Sequence, residues 1–298
     1  MHEQQKQRWL ISVSLLALYL IWGATFLAMK IAIDSLPPFL MAALRFLGAG
    51  GLLYVLLRLR GVAAPTRPQW LGAAVVGTLL LACGNGGVAF AQQWVATGAA
   101  ALMIATVPLW TVLFAGLWGM PPHRREWVGI GLGMLGVLIL NLGNNLQASP
   151  LGAGILLLAA VCWALGSIWG KRLPMPPGLM APAAQMLAGG AVLVLASMAS
   201  GERIVAPPTW KTLVALLYLI AFGSLIAYSA YLYLLKTVRP ALATSYAFVN
   251  PLIAMMLGTW LLNEHFGAHE LGAMVLILLG VLLVLPINFS FRTSGRGT

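Results

Sequence analysis

The sequence has few charged residues and very few acidic ones. Of its 298 residues, 8% are charged and only six are Asp or Glu, whereas ordinary soluble domains carry about 25% charged residues. A soluble fold would also have to bury most of the 61% of residues that are apolar. Apolar runs of about 20 residues recur along the chain, and that length crosses the roughly 30 Å hydrocarbon core of a bilayer. The composition therefore excludes a soluble enzyme and predicts an all-α membrane protein.

The sequence also lacks the motifs of several functional classes. Its two cysteines, Cys83 and Cys162, lie in apolar runs without metal-ligand spacing, which predicts small buried side chains and no metal site. No Gly-rich phosphate loop with Lys and Ser/Thr is present, so neither ATP consumption nor an obligate ATPase subunit is predicted. The net charge of +11 is not gathered on a basic face with interleaved aromatics, which argues against a nucleic-acid partner. No cofactor is expected.

Ten apolar runs are predicted to span the membrane, separated by breaks rich in Pro, Gly and Asn. The predicted spans are residues 9–33, 37–57, 69–91, 98–119, 127–142, 151–173, 178–200, 209–235, 240–262 and 268–287. With this count, thirteen of the fifteen loop Lys and Arg residues fall on the side of both termini, and only Arg203 and Lys211 fall on the other. Because basic loops stay on the cytoplasmic side, both termini are predicted to be cytoplasmic.

The two halves of the chain contain matching residues in the same order. Trp22 and Trp163 are each followed eight residues later by a lysine, and Pro108 and Pro251 are each followed 21 residues later by a glycine. Five is an odd number of spans, so a duplicated unit enters the membrane from the opposite side. We therefore expect two inverted-topology five-helix repeats around a central cavity, with substrate bound where the repeats meet. The predicted repeats are residues 9–143 and 150–288.

Several motifs resemble those of the EamA-type drug/metabolite transporter superfamily. The first half has Tyr-Leu-Ile-Trp-Gly-Ala-Thr-Phe over residues 19–26, then Lys30 and Arg45-Phe46. The second half has Pro-Ala-Leu-Ala-Thr-Ser-Tyr over residues 240–246, then Asn250-Pro251 and Glu264. The likeness covers nearly the whole chain and is nearest to bacterial inner-membrane exporters. It implies ten helices, cytoplasmic termini and export of amino acids or related amphipathic metabolites.

Polar and aromatic side chains within the predicted spans are the candidate substrate-binding residues. Polar groups without compensation cost several kcal/mol in a bilayer, and flat aromatic surfaces with a few hydrogen-bonding groups suit an amphipathic small molecule. Packing within the core or at the membrane interface is the alternative role for each. The candidates are Trp22, Asn85, Met103, Trp163, Ser167, Tyr228, Tyr231, Ser245, Tyr246 and Asn250.

Three further residues within the spans have predicted roles of other kinds. Arg45 lies about 12 Å inside its helix at about 1.5 Å per residue. There it is predicted to bind a substrate carboxylate, or else to cap backbone carbonyls or snorkel outward. Pro108 and Pro251 each remove one backbone hydrogen bond in mid-helix and are predicted hinges.

The pattern favours an alternating-access exporter of aromatic or hydrophobic amino acids, or of similar metabolites, with membrane lipids as its other contacts. An exporter of lipophilic drugs or cations is the alternative, and it would need a strong anion in the cavity. A membrane-embedded transferase would be expected to show paired Asp or His clusters in cytoplasmic loops. The four histidines are scattered and no such cluster is present, so the chain is not predicted to be an enzyme.

Overall fold

The structure is a computed structural model that describes residues 2–95, 97–141, 150–262 and 268–284. Over these ranges the elements are all helical. In chain order they are α1 (His2–Ala17, Leu18–Trp22 and Gly23–Ile33), α2 (Pro38–Leu59), α3 (Arg67–Gly77, Thr78–Gly86 and Gly87–Ala91), α4 (Thr97–Ile104), α5 (Val107–Leu117), α6 (Arg124–Asn141), α7 (Pro150–Trp169), α8 (Met180–Ala199), α9 (Trp210–Tyr218, Leu219–Ile226 and Ala227–Thr237), α10 (Pro240–Ala243), α11 (Tyr246–Leu262) and α12 (Ala268–Val284).

Six of these helices are long and apolar enough to cross a membrane: α1, α2, α3, α7, α8 and α9. They contain 20 to 30 residues each, and about 20 residues suffice for a span. Shorter apolar helices cover the other predicted spans, among them α5 with 11 residues and α6 with 18. The predicted all-α membrane class is confirmed, and the count of ten spans stays a prediction.

Two predicted spans are interrupted. The span predicted over residues 98–119 breaks between α4 and α5, and the span over 240–262 breaks between α10 and α11. Pro108 lies in the first turn of α5, where a helix N–H is unpaired in any case and proline costs little. Its predicted mid-helix position is therefore wrong, whereas Pro251 does lie inside α11.

Three helices contain π-helical segments that the sequence analysis did not anticipate. These segments are Leu18–Trp22 in α1, Thr78–Gly86 in α3 and Leu219–Ile226 in α9. A π-helix widens the turn to i→i+5 hydrogen bonding and often occurs at functional sites. All three segments supply residues of the site described below.

Close helix pairs hold the bundle together through glycines. In the α2–α8 pair, a Cβ added to Gly50 would lie 2.8 Å from the Cβ of Met186. In the α6–α12 pair, a Cβ added to Gly280 would lie 2.6 Å from the carbonyl oxygen of Gly129. Between these pairs, α1 packs against α9 and α11, while α7 packs against α3, α4 and α5.

Caps supplied by other segments fix some helix ends. The carboxylate of Glu202, just beyond α8, accepts hydrogen bonds from the backbone N–H groups of Phe39 and Leu40 at 3.0 and 2.9 Å. An acid at a helix N-terminus satisfies unpaired N–H groups and the helix dipole. This contact joins the start of α2 to the end of α8.

The two cysteines are free, and Cys83 is exposed while Cys162 is half-buried. The predicted burial of Cys83 is therefore wrong. An apolar run in a membrane protein can face lipid as well as the core, so hydrophobicity alone does not decide which side a residue takes. Glu264 and the C-terminal arginines lie outside the described residues.

Candidate functional site

A cavity, here called the aromatic cavity, lies between α1, α3, α7 and α11, with α4 and α5 on one side. The cavity volume is about 50 Å³, which is room for a few waters. A larger ligand would require its walls to move apart. The lining residues are Trp22, Thr25, Phe26, Met29, Gly84, Asn85, Val88, Ile104, Val107, Ala159, Trp163, Tyr246 and Asn250.

Four aromatic side chains, here called the aromatic cluster, meet at one end of this cavity: Trp22, Trp163, Tyr231 and Tyr246. The ring centroid of Trp22 lies 5.5 Å from that of Trp163, 5.3 Å from that of Tyr231 and 4.7 Å from that of Tyr246. The first and third of these pairs are edge-to-face, at 81° and 75°, an arrangement that aromatic quadrupoles favour. The cluster joins side chains from α1, α7, α9 and α11.

Hydrogen bonds fix the polar edges of these rings. The indole Nε1 of Trp163 donates to the Tyr231 hydroxyl at 3.0 Å, and the Ser167 hydroxyl lies 2.6 Å from the same oxygen. The Nε1 of Trp22 donates to the carbonyl of Gly223 at 3.0 Å, within the π-helical segment of α9. Since both indole N–H groups are occupied, Trp22 and Trp163 present apolar ring surface to the cavity.

Tyr228 and Ser245 are buried behind the cluster rather than in the cavity wall. The Tyr228 hydroxyl donates to Gln185 Oε1 at 2.6 Å. The Ser245 hydroxyl lies 2.7 Å from that of Tyr19 and donates to the carbonyl of Leu242 at 2.8 Å. These bonds join α9 to α8, and α1 to the connection between α10 and α11.

Arg45 lies inside the bundle with only 2% of its surface exposed. Its Nε donates to the Ser224 hydroxyl at 2.8 Å, its Nη1 donates to Asn85 Oδ1 at 3.2 Å, and its guanidinium lies 4.8 Å from the ring centroid of Phe46. Among the described residues it makes no ion pair. This burial is inconsistent with outward snorkelling and leaves a positive charge next to a residue of the cavity wall.

Two asparagines line the cavity and differ in their partners. The side-chain carbonyl of Asn85 is occupied by Arg45, which leaves its NH₂ group as a donor. Asn250 is 3% exposed, and its Oδ1 is buried without a hydrogen-bond partner among the described residues. A buried polar atom without a partner is costly, so it calls for a ligand, water or ion.

An ion pair, here called the Glu126–Arg239 clasp, joins the first turn of α6 to the connection before α10. Arg239 contacts the carboxylate with Nε at 2.5 Å and Nη2 at 2.8 Å. Burial raises the pKa of Glu126, but hydrogen bonds from Arg239 and the His123 backbone N–H outweigh it and leave the pKa below its usual value. The clasp therefore links the two predicted repeats at neutral pH.

Of the ten predicted binding residues, the structure places five in the cavity wall: Trp22, Asn85, Trp163, Tyr246 and Asn250. It places five others outside that wall, namely Met103, Ser167, Tyr228, Tyr231 and Ser245. Ile104, which follows Met103 in the sequence, lines the cavity instead.

Other wall residues were not among the predicted binding residues, although helical spacing could have identified them. Phe26 and Met29 follow Trp22 at i+4 and i+7, Ala159 precedes Trp163 by four, and Val88 follows Asn85 by three. Residues at these intervals share one face of a helix. Extending each candidate along its own helix face would have found these four.

Comparison with known proteins identifies relatives along almost the whole chain. The model of the EamA-like transporter family matches residues 9–142 and again 150–285. The chain is 47% identical over 272 residues to the uncharacterized inner membrane transporter YedA of Escherichia coli K12, covering 91% of this chain and 89% of that protein. It is 26% identical to Protein PecM of Dickeya dadantii, covering 91% of each.

A solved crystal structure shares the fold. It aligns with a TM-score of 0.76 at 21% sequence identity and covers 92% of this chain and 96% of the other. At this identity the likeness concerns the fold alone.

Proposed function

Since the chain belongs to the EamA-like transporter family, we propose that it exports aromatic or hydrophobic amino acids, or related small amphipathic metabolites, across the inner membrane. The observation that carries this proposal is the aromatic cavity. Three rings of the aromatic cluster and two asparagine amides line this cavity. Apolar ring surface binds the apolar part of a ligand, and a few amide groups orient its polar part.

Ten spans in two inverted repeats, residues 9–143 and 150–288, are part of the proposal. The family model matches the chain twice, over nearly these ranges. The π-helical segments of α3 and α9 begin 141 residues apart, at Thr78 and Leu219, which is the interval between Trp22 and Trp163. The contacts between the two halves also correspond. In the first half α1 contacts α9 and α11 of the second half, and α7 of the second half contacts α3 and α5 of the first. Inverted repeats are typical of alternating-access carriers.

We assign the conformation as open toward the outside. The cavity extends from the aromatic cluster along α1 toward Phe26 and Met29. On the opposite side of the cluster, the Tyr19–Ser245 contact and the Glu126–Arg239 clasp hold the halves together. That closed side carries most of the loop Lys and Arg residues, which the positive-inside tendency assigns to the cytoplasm together with both termini.

The alternative of a drug or cation exporter receives less support. Among the described residues, no acidic side chain lines the cavity. Glu126 and Glu202 are both engaged elsewhere, in the clasp and at the start of α2. A cationic ligand would therefore lack a counter-charge there.

The test is flux of labelled Phe, Met and Thr into proteoliposomes containing the purified protein. Trp163→Ala should abolish flux because it removes a wall ring and leaves the Tyr231 hydroxyl without its indole donor. Trp210→Ala is the matched control, since Trp210 is 71% exposed at the start of α9. Absence of flux of any amino acid by the wild-type protein would refute the substrate class.

A further inference from the structure

Arg45 connects two π-helical segments that belong to different predicted repeats. Its Nη1 donates to Asn85 in the segment of α3, and its Nε donates to Ser224 in the segment of α9. The α9 segment also accepts the Trp22 indole N–H through the carbonyl of Gly223. Two side chains of the cavity wall, Asn85 and Trp22, are thus held by one buried unit.

The glycine at position 223 lets the α9 backbone lie close to the guanidinium. A Cβ there would lie 2.9 Å from Arg45 Nη2 and 3.2 Å from Thr25 Cγ2. The helix backbone therefore approaches the charged group directly. Arg45 packs between α9 and the cavity wall instead of facing lipid.

Among the described residues, no acidic side chain pairs with this arginine. A guanidinium remains protonated in proteins, and Arg45 makes no ion pair among the described residues. Its described partners are neutral oxygens and the Phe46 ring. A buried unpaired cation is costly, and a negatively charged group bound nearby would reduce that cost.

The hydrogen bond to Arg45 also decides what Asn85 offers a ligand. Arg45 has only donors, so it must be met by the amide oxygen, and the NH₂ group of Asn85 is then the part available to the cavity. Across the same cavity, Asn250 holds a buried oxygen without a partner. The wall therefore combines a donor backed by a positive charge with a free acceptor.

We propose that Arg45 is a positioning residue that makes the aromatic cavity select ligands carrying a carboxylate or similar anion. It acts through Asn85, whose NH₂ group binds the anion while the guanidinium supplies the compensating charge. Asn250 Oδ1 accepts an N–H of the same ligand, and the aromatic cluster contacts its apolar part. This inference rests on the proposed function, and it names the group by which that site recognises its substrate.

The test compares three ligands that share a phenyl group: phenylalanine, phenylpropionate, which lacks the ammonium, and phenethylamine, which lacks the carboxylate. Binding is measured by isothermal titration calorimetry on the full chain in nanodiscs. The wild-type protein should bind phenylalanine and phenylpropionate at least about tenfold more tightly than phenethylamine, because the buried charge of Arg45 favours a carboxylate nearby and disfavours a lone ammonium.

Asn85→Asp is the decisive variant. The new carboxylate would pair with Arg45, cancel its charge and remove the NH₂ donor. Binding of phenylalanine and phenylpropionate should weaken about 10- to 100-fold, while binding of phenethylamine should be retained or strengthened. A purely structural role of the network would weaken all three ligands together.

Further variants distinguish a change in ligand selectivity from a loss of folding. Ser224→Ala removes one Arg45 partner and should reduce discrimination partly, and Arg45→Lys should preserve preference for the anion better than Arg45→Gln. Thr111→Val, which removes a buried hydroxyl bonded only within α5, is the control and should change nothing.

Equal affinity of wild-type protein for phenylalanine and phenethylamine, or a uniform loss in Asn85→Asp, would overturn the role of Arg45 and leave the proposed function standing. Failure of the wild-type protein to bind any of the three ligands would instead overturn the proposed function, and the inference with it.

Discussion

At the scale of single residues, two neighbouring glycines in α2 differ in how closely other atoms pack against them. A Cβ on Gly50 would meet the Met186 Cβ at 2.8 Å and the Leu187 backbone nitrogen at 2.9 Å, whereas a Cβ on Gly51 would have no atom within 4 Å. Gly50→Ala should destabilise the protein by about 1–3 kcal/mol through overpacking. Gly51→Ala should be neutral or stabilising by up to about 1 kcal/mol, because alanine favours the helix.

Thermal unfolding of the two purified variants in the same detergent measures this difference. We expect Gly50→Ala to unfold several degrees below the wild type and Gly51→Ala at or above it, at about 2–4 °C per kcal/mol. Equal melting temperatures would show that the α2–α8 contact can relax by an ångström without cost.

Only some of the cavity residues could be predicted from the sequence. Trp22 and Trp163 could be predicted because they match across the halves, and both line the cavity. Ser167 shares a helix face with Trp163, yet its hydroxyl contacts Tyr231 of α9 instead of the cavity. Spacing within one helix indicates which residues share a face, but not which neighbouring side chain covers that face.

At the scale of helices, the sequence located most elements but not their irregularities. Apolar runs marked α1, α2, α3, α7, α8 and α9 because the membrane requires about 20 such residues in succession. Such runs contain no signal for i→i+5 hydrogen bonding, so the π-helical segments could not be predicted. Pro108 indicated a disturbance of the helix, but the sequence did not indicate that a new helix begins next to it, at Val107.

The two predicted hinges consequently differ in their expected effects. Pro108 is in the first turn of α5, so Pro108→Ala restores no mid-helix hydrogen bond and should change transport little. Pro251 lies inside α11, and Pro251→Ala should restore a helical hydrogen bond, raise the melting temperature and slow transport if α11 bends during the cycle.

Initial rates of amino-acid flux and melting temperatures of both variants test this difference. A Pro251→Ala variant that is more stable and equally fast would eliminate bending of α11 as a step. A large loss of rate in Pro108→Ala would place the moving point at the α4–α5 break instead.

At the scale of the whole molecule, the Glu126–Arg239 clasp connects the predicted repeats on the side that we propose to be closed. The Glu126 side chain is 7% exposed and that of Arg239 is 44% exposed, so the pair should contribute about 1 kcal/mol or less. Glu126→Gln should lower the melting temperature at pH 7 by no more than about 2–4 °C. Thr209→Ala, which breaks a cap far from the clasp, is a control of similar size without pH dependence.

The pH dependence of this effect has a definite sign. The lowered pKa of Glu126 means that the folded protein favours the carboxylate, so the stabilisation is complete above the ordinary glutamate pKa of about 4.3. It is lost as the pH falls through the lowered pKa, where Glu126 takes up a proton. The melting temperatures of the wild type and Glu126→Gln should therefore converge below about pH 4.

In the proposed outward-open conformation the clasp would hold the cytoplasmic side closed, so it should also bias the conformational equilibrium. In a Cys83→Ser, Cys162→Ser background, a cysteine at Ala241, 2% exposed on α10, reports opening of the closed side. Ile104→Cys, at a half-buried position in the cavity wall, reports the open side. Glu126→Gln should increase alkylation at position 241 and decrease it at 104, since opening one side closes the other in alternating access. An increase at both positions would indicate loosening of the bundle, and no change at either would show that the clasp stabilises the fold without controlling access.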